Sequence, residues 1–207
     1  MPTGITAVVL AAGAGSRFEG GAHKLRAELR GVSVVRRSVE SAVAAGIGPV
    51  LVVTGAVELA DLLPLGVTEL RAADWSAGQS HSLGAAVAAV AASHATAMVV
   101  GLADMPFVTP EAWRAVAGTP GEIVVASYGG RRRPPVKLGR SVWADLPSVG
   151  DEGARALMRL RPDLVRDVAV DGDDRDIDTL GDLHDAAGPG PTAAGPAEPG
   201  IPPPNAG

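Results

Sequence analysis

The 207-residue chain contains no cysteine. A disulfide, a thiolate nucleophile and iron–sulfur ligation are therefore excluded, and the composition fits a reducing compartment. Basic charge is also short: 18 Lys and Arg stand against 23 Asp and Glu, for a formal net charge of −5. A duplex binder needs a basic face that releases counterions, so nucleic acid is not an expected partner, whereas an isolated phosphate needs only a few placed cations. The apolar start MPTGITAVVLAAGAG lacks the basic segment of a secretory signal. Leu83 to Ala103 is nearly uncharged but alanine-dominated and interrupted by Ser93, His94 and Thr96, which reads as a helix, a turn and a buried strand rather than a membrane span. A soluble, cytoplasmic protein is expected.

Two familiar phosphate-binding motifs are missing as well. Ile5 to Leu25, ITAVVLAAGAGSRFEGGAHKL, begins with a short apolar run, Ala7 to Ala11, that reads as a buried strand of a parallel sheet and then breaks into a glycine-rich turn. Lys24 has neither the preceding glycine nor the following hydroxyl of a P-loop, and Phe18 stands where a dinucleotide fingerprint needs its third glycine. What remains is a loop at the carboxyl end of a strand, where open α/β sheets bind ligands. Gly13, Gly15, Gly20 and Gly21 allow a tight turn with N–H groups close to an anion, and Arg17 and Lys24 add positive charge.

The pattern continues as β-α-β-α-β, the mark of a parallel sheet with right-handed crossovers. Helical spacing runs from Ser33 to Gly46, a strand is expected at Val50 to Val53, a poorly marked helix at Val57 to Leu63 and a strand at Val67 to Leu70. Asp74 to Ser80 precedes a helix over about Ser82 to Ser93, with Ser80 or Ser82 as its cap and free N–H groups at its start. A strand at Ala97 to Leu102 ends in Ala103, Asp104, Met105 and Pro106, which presents the Asp104 carboxylate at the same sheet edge as the glycine loop. Mg²⁺ takes hard oxygen ligands and uses one or two carboxylates plus substrate phosphates, so Asp104 suits a metal position, or else simply begins a turn before the helix Pro110 to Gly118.

The second half is less regular. A strand at Ile123 to Ser127 leads to a turn, Gly129 to Arg133, whose three arginines form either a solvated loop or a contact for an anion. Pro134 to Leu138 is extended, and Gly150 to Leu157 opens a helix to about Arg161 with acids in its first turn. Asp167 to Asp185 holds eight aspartates but fails as a calcium loop, because Thr179 stands where the turn needs glycine and Asp185 where it needs a bidentate Glu. The last twenty residues carry seven prolines and five glycines, too little apolar surface to offset ordering. Domain boundaries are therefore set at 1–187 for the folded domain and 188–207 for a disordered tail.

Several of these segments together resemble one family. LAAGAGSRF…HKL resembles the signature of the MobA/MocA-like nucleotidyltransferases, the molybdenum cofactor cytidylyltransferase and guanylyltransferase branch. Trp75, Gly78, Gln79, Ser80 and Leu83 match the spacing of that family's nucleotide-side W…G…S…L stretch, with packing of Trp75 in the core as the alternative. Strand-ADMP follows in order, then the run Pro135 to Leu138 with GDEGAR, which look like the cytidylyltransferase side, and DIDTLGDL, similar to the family's closing DIDTPEDL. Leu180 and Gly181 depart from that last pattern.

The resemblance implies a three-layer, Rossmann-like α/β nucleotidyltransferase fold with a mostly parallel sheet. It implies transfer of a nucleoside monophosphate, CMP from CTP, to a phosphorylated pterin-like acceptor such as molybdenum cofactor, with a molybdenum hydroxylase as client. By the same correspondence Mg²⁺ is held by Asp104 and Asp178, with Asp176 in reserve. Arg17 and Lys24 offset phosphate charge, and Leu10, Ala11, Ala12, Gly13, Gly15, Gly78 and Ser80 contact the nucleotide. His23 stands as structural or catalytic, and Lys137 interrupts an otherwise apolar acceptor-side run. A GTP-dependent enzyme, a nicotinamide- or flavin-dependent oxidoreductase on the same fold, and a non-catalytic pterin chaperone are the alternatives.

Overall fold

A computed structural model describes residues 4–19 and 21–188. Gly20 of the expected cradle and residues 189–207 of the expected tail lie outside the described residues. Seven strands form one sheet in the order β5-β4-β1-β6-β8-β7-β9. They are β1 (Ile5–Ala11), β4 (Val50–Thr54), β5 (Thr68–Arg71), β6 (Ala97–Leu102), β7 (Ile123–Tyr128), β8 (Arg131–Gly139) and β9 (Val165–Ala169). A hairpin of β2 (Glu28–Leu29) and β3 (Val32–Ser33) stands apart. Only β8 runs antiparallel to its neighbours β6 and β7, so the expected mostly parallel sheet is present.

The central strands are apolar on both faces because both are covered. Along β1, Ala7, Val9 and Ala11 point to one core, Val8 and Leu10 to the other, and β4, β6 and β7 alternate in the same way. The first core packs against α1 (Val34–Ala45), α3 (Pro110–Gly118) and α5 (Leu180–Ala187), the second against α2 (Gln79–Ala91) and α4 (Ala154–Leu160). The result is the three-layer α/β fold. No helix among the described residues is long and apolar enough to cross a membrane.

Several local expectations are corrected. Val57 to Leu63 is not a helix: a single 3-10 turn forms at Ala60–Leu62, and Leu63 before Pro64 is already extended. α2 starts at Gln79, its N-cap is Gly78, and neither Ser80 nor Ser82 caps it. The arginine run is not a turn. The hairpin tip is Gly129–Gly130, both at positive φ, and Arg131, Arg132 and Arg133 begin β8. Lys137 does not face the side of α2 and α4. Its neighbours Val136 and Leu138 do, while Lys137 turns the other way and its ammonium donates to the Thr119 and Ala117 carbonyls that end α3.

Candidate active site

The carboxyl ends of β1 and β6 lie side by side, since Leu10 pairs with Leu102 and the Ala103 N–H donates to the Leu10 carbonyl. The glycine loop leaves β1 there and Asp104 leaves β6 there. A tie from far along the chain completes the arrangement: the Ile177 N–H donates to the Asp104 carbonyl at 2.8 Å, and Ile177 itself is only 1% exposed. Asp178 follows immediately. Its N–H donates to Asp182 Oδ2, which also accepts from the Thr179 N–H and hydroxyl and starts α5 as a reciprocal capping box. The Thr179 hydroxyl foremost, then these N–H groups, hold the Asp182 carboxyl below its usual value.

Three expected residues therefore converge. Lys24 Nζ donates to Asp104 Oδ2 and to Asp178 Oδ1, each at 2.7 Å. Burial alone pushes the ammonium toward deprotonation, but the charge and hydrogen bonds of Asp104, joined by Asp178, outweigh it and raise the Lys24 pKa above its ordinary value. Arg17 reaches Asp178 Oδ2 at 2.8 Å from a largely exposed position, where screening leaves such a pair little energy. Asp176 is not part of this centre, because its carboxylate faces Arg133 at 3.1 Å.

The loop itself is pinned by His23. Its Nδ1 accepts from the Leu25 N–H, and its Nε2, 3.0 Å from the Gly13 carbonyl, is then the donor, so one neutral tautomer satisfies both bonds. Burial, partly opposed by the Gly13 carbonyl, lowers the His23 pKa. Gly15 packs on this ring at φ +62, where a Cβ would come within 3.0 Å of His23 Nε2. These contacts give His23 a structural role.

Two chambers open around the loop. Leu10, Ala11, Gly13, Gly15, Arg17 and Lys24 line the first, together with Asp104 and Asp178. Ala12, Gly13, Trp75, Gly78 and Ser82 line the second, which is open to solvent beside the first. Trp75 thus serves both readings, packing on the second core while presenting a face to this chamber. Ser80 lines neither chamber. Its side chain is buried, and its N–H, expected to be free, is taken by the Gly150 carbonyl at 3.0 Å. Ser82 and Asp151 are among the lining residues that the sequence left unassigned to the site, and Asp151 lies so close to Gly78 that a Cβ there would meet Asp151 Oδ1 at 2.6 Å.

Whether this centre suits a divalent cation is testable on its own atoms. Asp104 Oδ1 is buried with no hydrogen-bond partner, while Oδ2 shares a cation with Asp178. An unpartnered buried carboxylate oxygen is costly, and a hard cation would satisfy it. Among the described residues no cluster of three or more His, Cys, Asp or Glu is placed to hold a metal. A cation here would have two protein carboxylates and take its other ligands from phosphates and water, the usual habit of Mg²⁺.

An α/β cleft of this kind, with a glycine loop and paired carboxylates at the carboxyl edge of its sheet, defines a nucleotide-handling enzyme. Residues 7–168 match the MobA-like NTP transferase domain, and the chain belongs to that family of nucleotidyltransferases. No curated protein matches the chain. Among solved structures it is similar to Rv0371c of Mycobacterium tuberculosis H37Rv, at 30% identity and a TM-score of 0.74 over 86% of this chain and 94% of that one. A manganese complex of Rv0371c matches at 28% identity and a TM-score of 0.67, over 86% and 95%. A nucleotidyl transferase of Methanothermobacter, Mth528, matches at 25% and 0.73, over 86% and 93%. The inositol-1-phosphate CTP transferase of T. maritima, at 16% identity, a TM-score of 0.68 and 86% and 91% coverage, shares the fold alone.

Proposed function

We propose that this protein transfers CMP from CTP to a phosphorylated acceptor of the molybdenum cofactor kind and releases pyrophosphate. The observation that carries the reading is the convergence of Lys24, Asp104 and Asp178 beside the glycine loop. An acceptor phosphate oxygen forms a bond to the α-phosphorus of the nucleotide as the bond from that phosphorus to the bridging oxygen breaks, and pyrophosphate carries the electron pair away. The attacking phosphate is already ionised near neutral pH, so no protein base is needed. The barrier lies in bringing two anions together.

This chain's residues address that barrier. Lys24 and Arg17 exchange their carboxylate partners for the triphosphate, and the loop from Gly13 to Gly15 lies against the phosphates. Asp104 and Asp178 would hold Mg²⁺, which when bound supplies charge neutralisation across adjacent phosphates. A manganese complex of the relative Rv0371c supports a divalent cation. The second chamber receives cytosine and ribose against Trp75 and the backbone of Ala12 and Gly13. CTP is preferred as donor because GDEGAR and the run Pro135 to Leu138 look like the cytidylyltransferase side of the family.

Calorimetry with CTP, GTP, ATP and NADPH, each with and without Mg²⁺, tests the reading, followed by pyrophosphate release with molybdenum cofactor. Magnesium-dependent CTP binding above the others is expected. Removing Lys24 should lower the rate by about 10² to 10³, the effect of losing one preorganised charge-stabilising donor. Metal-indifferent preference for NADPH, or full transferase activity in Asp104→Ala, would sink it.

A further inference from the structure

Residues 170–179 run without regular structure from the end of β9 to the start of α5, and they carry Asp178. The sheet order puts β7 and β8 between β9 and β6, so this segment must cross the ends of both strands before Asp178 can reach Asp104 beyond β6. It holds five aspartates, Asp171, Asp173, Asp174, Asp176 and Asp178. Like charges this dense repel one another and favour an open, solvated chain. Such a segment needs outside support to hold a ligand in place.

The crossing is made in steps, one per strand. The Val170 N–H donates to the Ser127 carbonyl of β7 at 3.1 Å. Over β8, Arg131 meets Asp174 Oδ1 at 2.6 Å, while Arg133 donates to the Asp174 carbonyl at 3.2 Å and pairs with Asp176 at 3.1 Å. The Ile177 N–H then donates to the Asp104 carbonyl beyond β6. Only the middle step uses side chains, and water screens it weakly where it matters most: the Asp174 side chain is 8% exposed and that of Arg133 is 23%. Arg132, between them, pairs with Asp167 at 2.7 Å and pins β9, the edge strand from which the segment departs. The anions that the arginine run meets are thus the chain's own aspartates.

Resting on the reading of Asp178 as a metal ligand, we infer that Arg133 is a positioning residue for that ligand: it fastens the acidic segment to β8 at Asp174 and Asp176, and so delivers the Asp178 carboxylate to its place beside Asp104. The two aspartates of DID divide the work. Asp176 anchors the segment, and Asp178 presents its carboxylate to the centre. Ile177 alone separates them and is buried, so a shift at the anchor is passed on with little slack. Groups that orient a ligand in this way are worth about 10- to 100-fold in metal affinity.

The test uses the full chain carrying Lys24→Met, in which no ammonium competes for the two carboxylates, and Mn²⁺ alone as the probe in electron paramagnetic resonance. Arg133→Gln in this background should weaken Mn²⁺ binding about 10- to 100-fold. The sign is diagnostic: removing a cation would by charge alone draw Mn²⁺ in more strongly, so a loss reports displacement of Asp178. Arg132→Gln removes the same charge one residue away from an exposed pair and should change binding by less than about twofold. A second readout needs no metal. In Arg133→Gln with Lys24 retained, amide exchange followed by NMR should be about tenfold or more faster at Ile177 than in the parent, with the amides of β1 and β6 unchanged. Asp176→Asn, which leaves Asp174 and its arginines in place, should speed exchange at Ile177 as well, and so guards against misfolding of the first variant. Unchanged exchange at Ile177, or Mn²⁺ binding in Arg133→Gln as tight as before or tighter, overturns the inference. A Lys24→Met protein whose Mn²⁺ affinity is not lowered by Asp104→Asn would instead strike at the metal reading itself.

Discussion

Replacing Lys24 with methionine should make the protein bind a divalent cation more tightly in the absence of nucleotide. The Lys24 ammonium occupies the space between the two carboxylates expected to hold the metal, at 2.7 Å from each. Its side chain is 11% exposed and theirs are 22% and 20%, so solvent screens the contacts only weakly. Because its pKa is raised, the contribution of this lysine to stability is fully present below its ordinary value of 10.5 and is lost only as pH rises through the higher folded value. Deprotonation therefore cannot clear the site near neutral pH. A cation entering the parent protein must displace at least one charge-assisted hydrogen bond, worth about 1.5 to 3 kcal/mol. Lys24→Met removes that competitor, so metal affinity should rise about 10- to 100-fold. Titration of Mn²⁺ by electron paramagnetic resonance, which reads free ion directly, measures it, with Asp104→Asn in the same background returning the affinity to parent level or below. Nucleotide affinity should fall in the same variant, a change of opposite sign. Metal binding no tighter than in the parent protein would refute the placement of Lys24 as the resident counter-ion of this site.

Three further outcomes follow from local geometry. Gly13 has no need of positive φ, and a Cβ there would meet nothing within 4 Å, so Gly13→Ala should melt within a degree or two of the parent yet weaken nucleotide binding by filling the shared wall of two chambers. His23 has a folded pKa below its ordinary 6.5, so loop closure is fully stable above pH 6.5 and weakens as pH falls below it; an NMR titration placing the His23 pKa at or above 6.5 would contradict this. Lys137→Met should cost about 1 to 3 kcal/mol in denaturant unfolding by orphaning the Thr119 and Ala117 carbonyls, with nucleotide binding unchanged within twofold, since Lys137 lines neither chamber around the glycine loop.

Where apolar spacing is strong, the sequence is a good guide. α1, β4, β6 and α3 fall on the expected spans, α3 to the residue, because Thr109 caps it and Pro110 fills its first turn. β9 escaped notice because it is an edge strand: VRDVA has no fully buried position and a charged pair at its centre. α5 lies in an aspartate-rich stretch and is started by the Thr179–Asp182 capping box rather than marked by strong apolar spacing. Glycine caps α2 without a side chain, so the helix begins about three residues before the expected start, and Ser82, not the Ser80 that the W…G…S…L spacing picks out, lines the chamber. The convergence of Lys24 with Asp104 and Asp178 spans 80 and 154 residues of sequence. No local pattern encodes such a meeting; it came through motif order alone.

The reversed direction of β8 has a consequence for how this molecule could be re-engineered. Running opposite to its neighbours, β8 brings its beginning, rather than its end, to the edge where β1 and β6 finish, so a two-glycine hairpin delivers Arg132 and Arg133 to that edge. Residues 10–104 line most of the two chambers around the glycine loop, and residues 125–158 line most of the cavity rimmed by Arg132, Arg133 and Arg155. The two sets of residues meet along the β6–β8 seam. Exchanging the hairpin and the start of α4 between family members moves Pro135 to Leu138 and GDEGAR together, so nucleotide preference should travel with them.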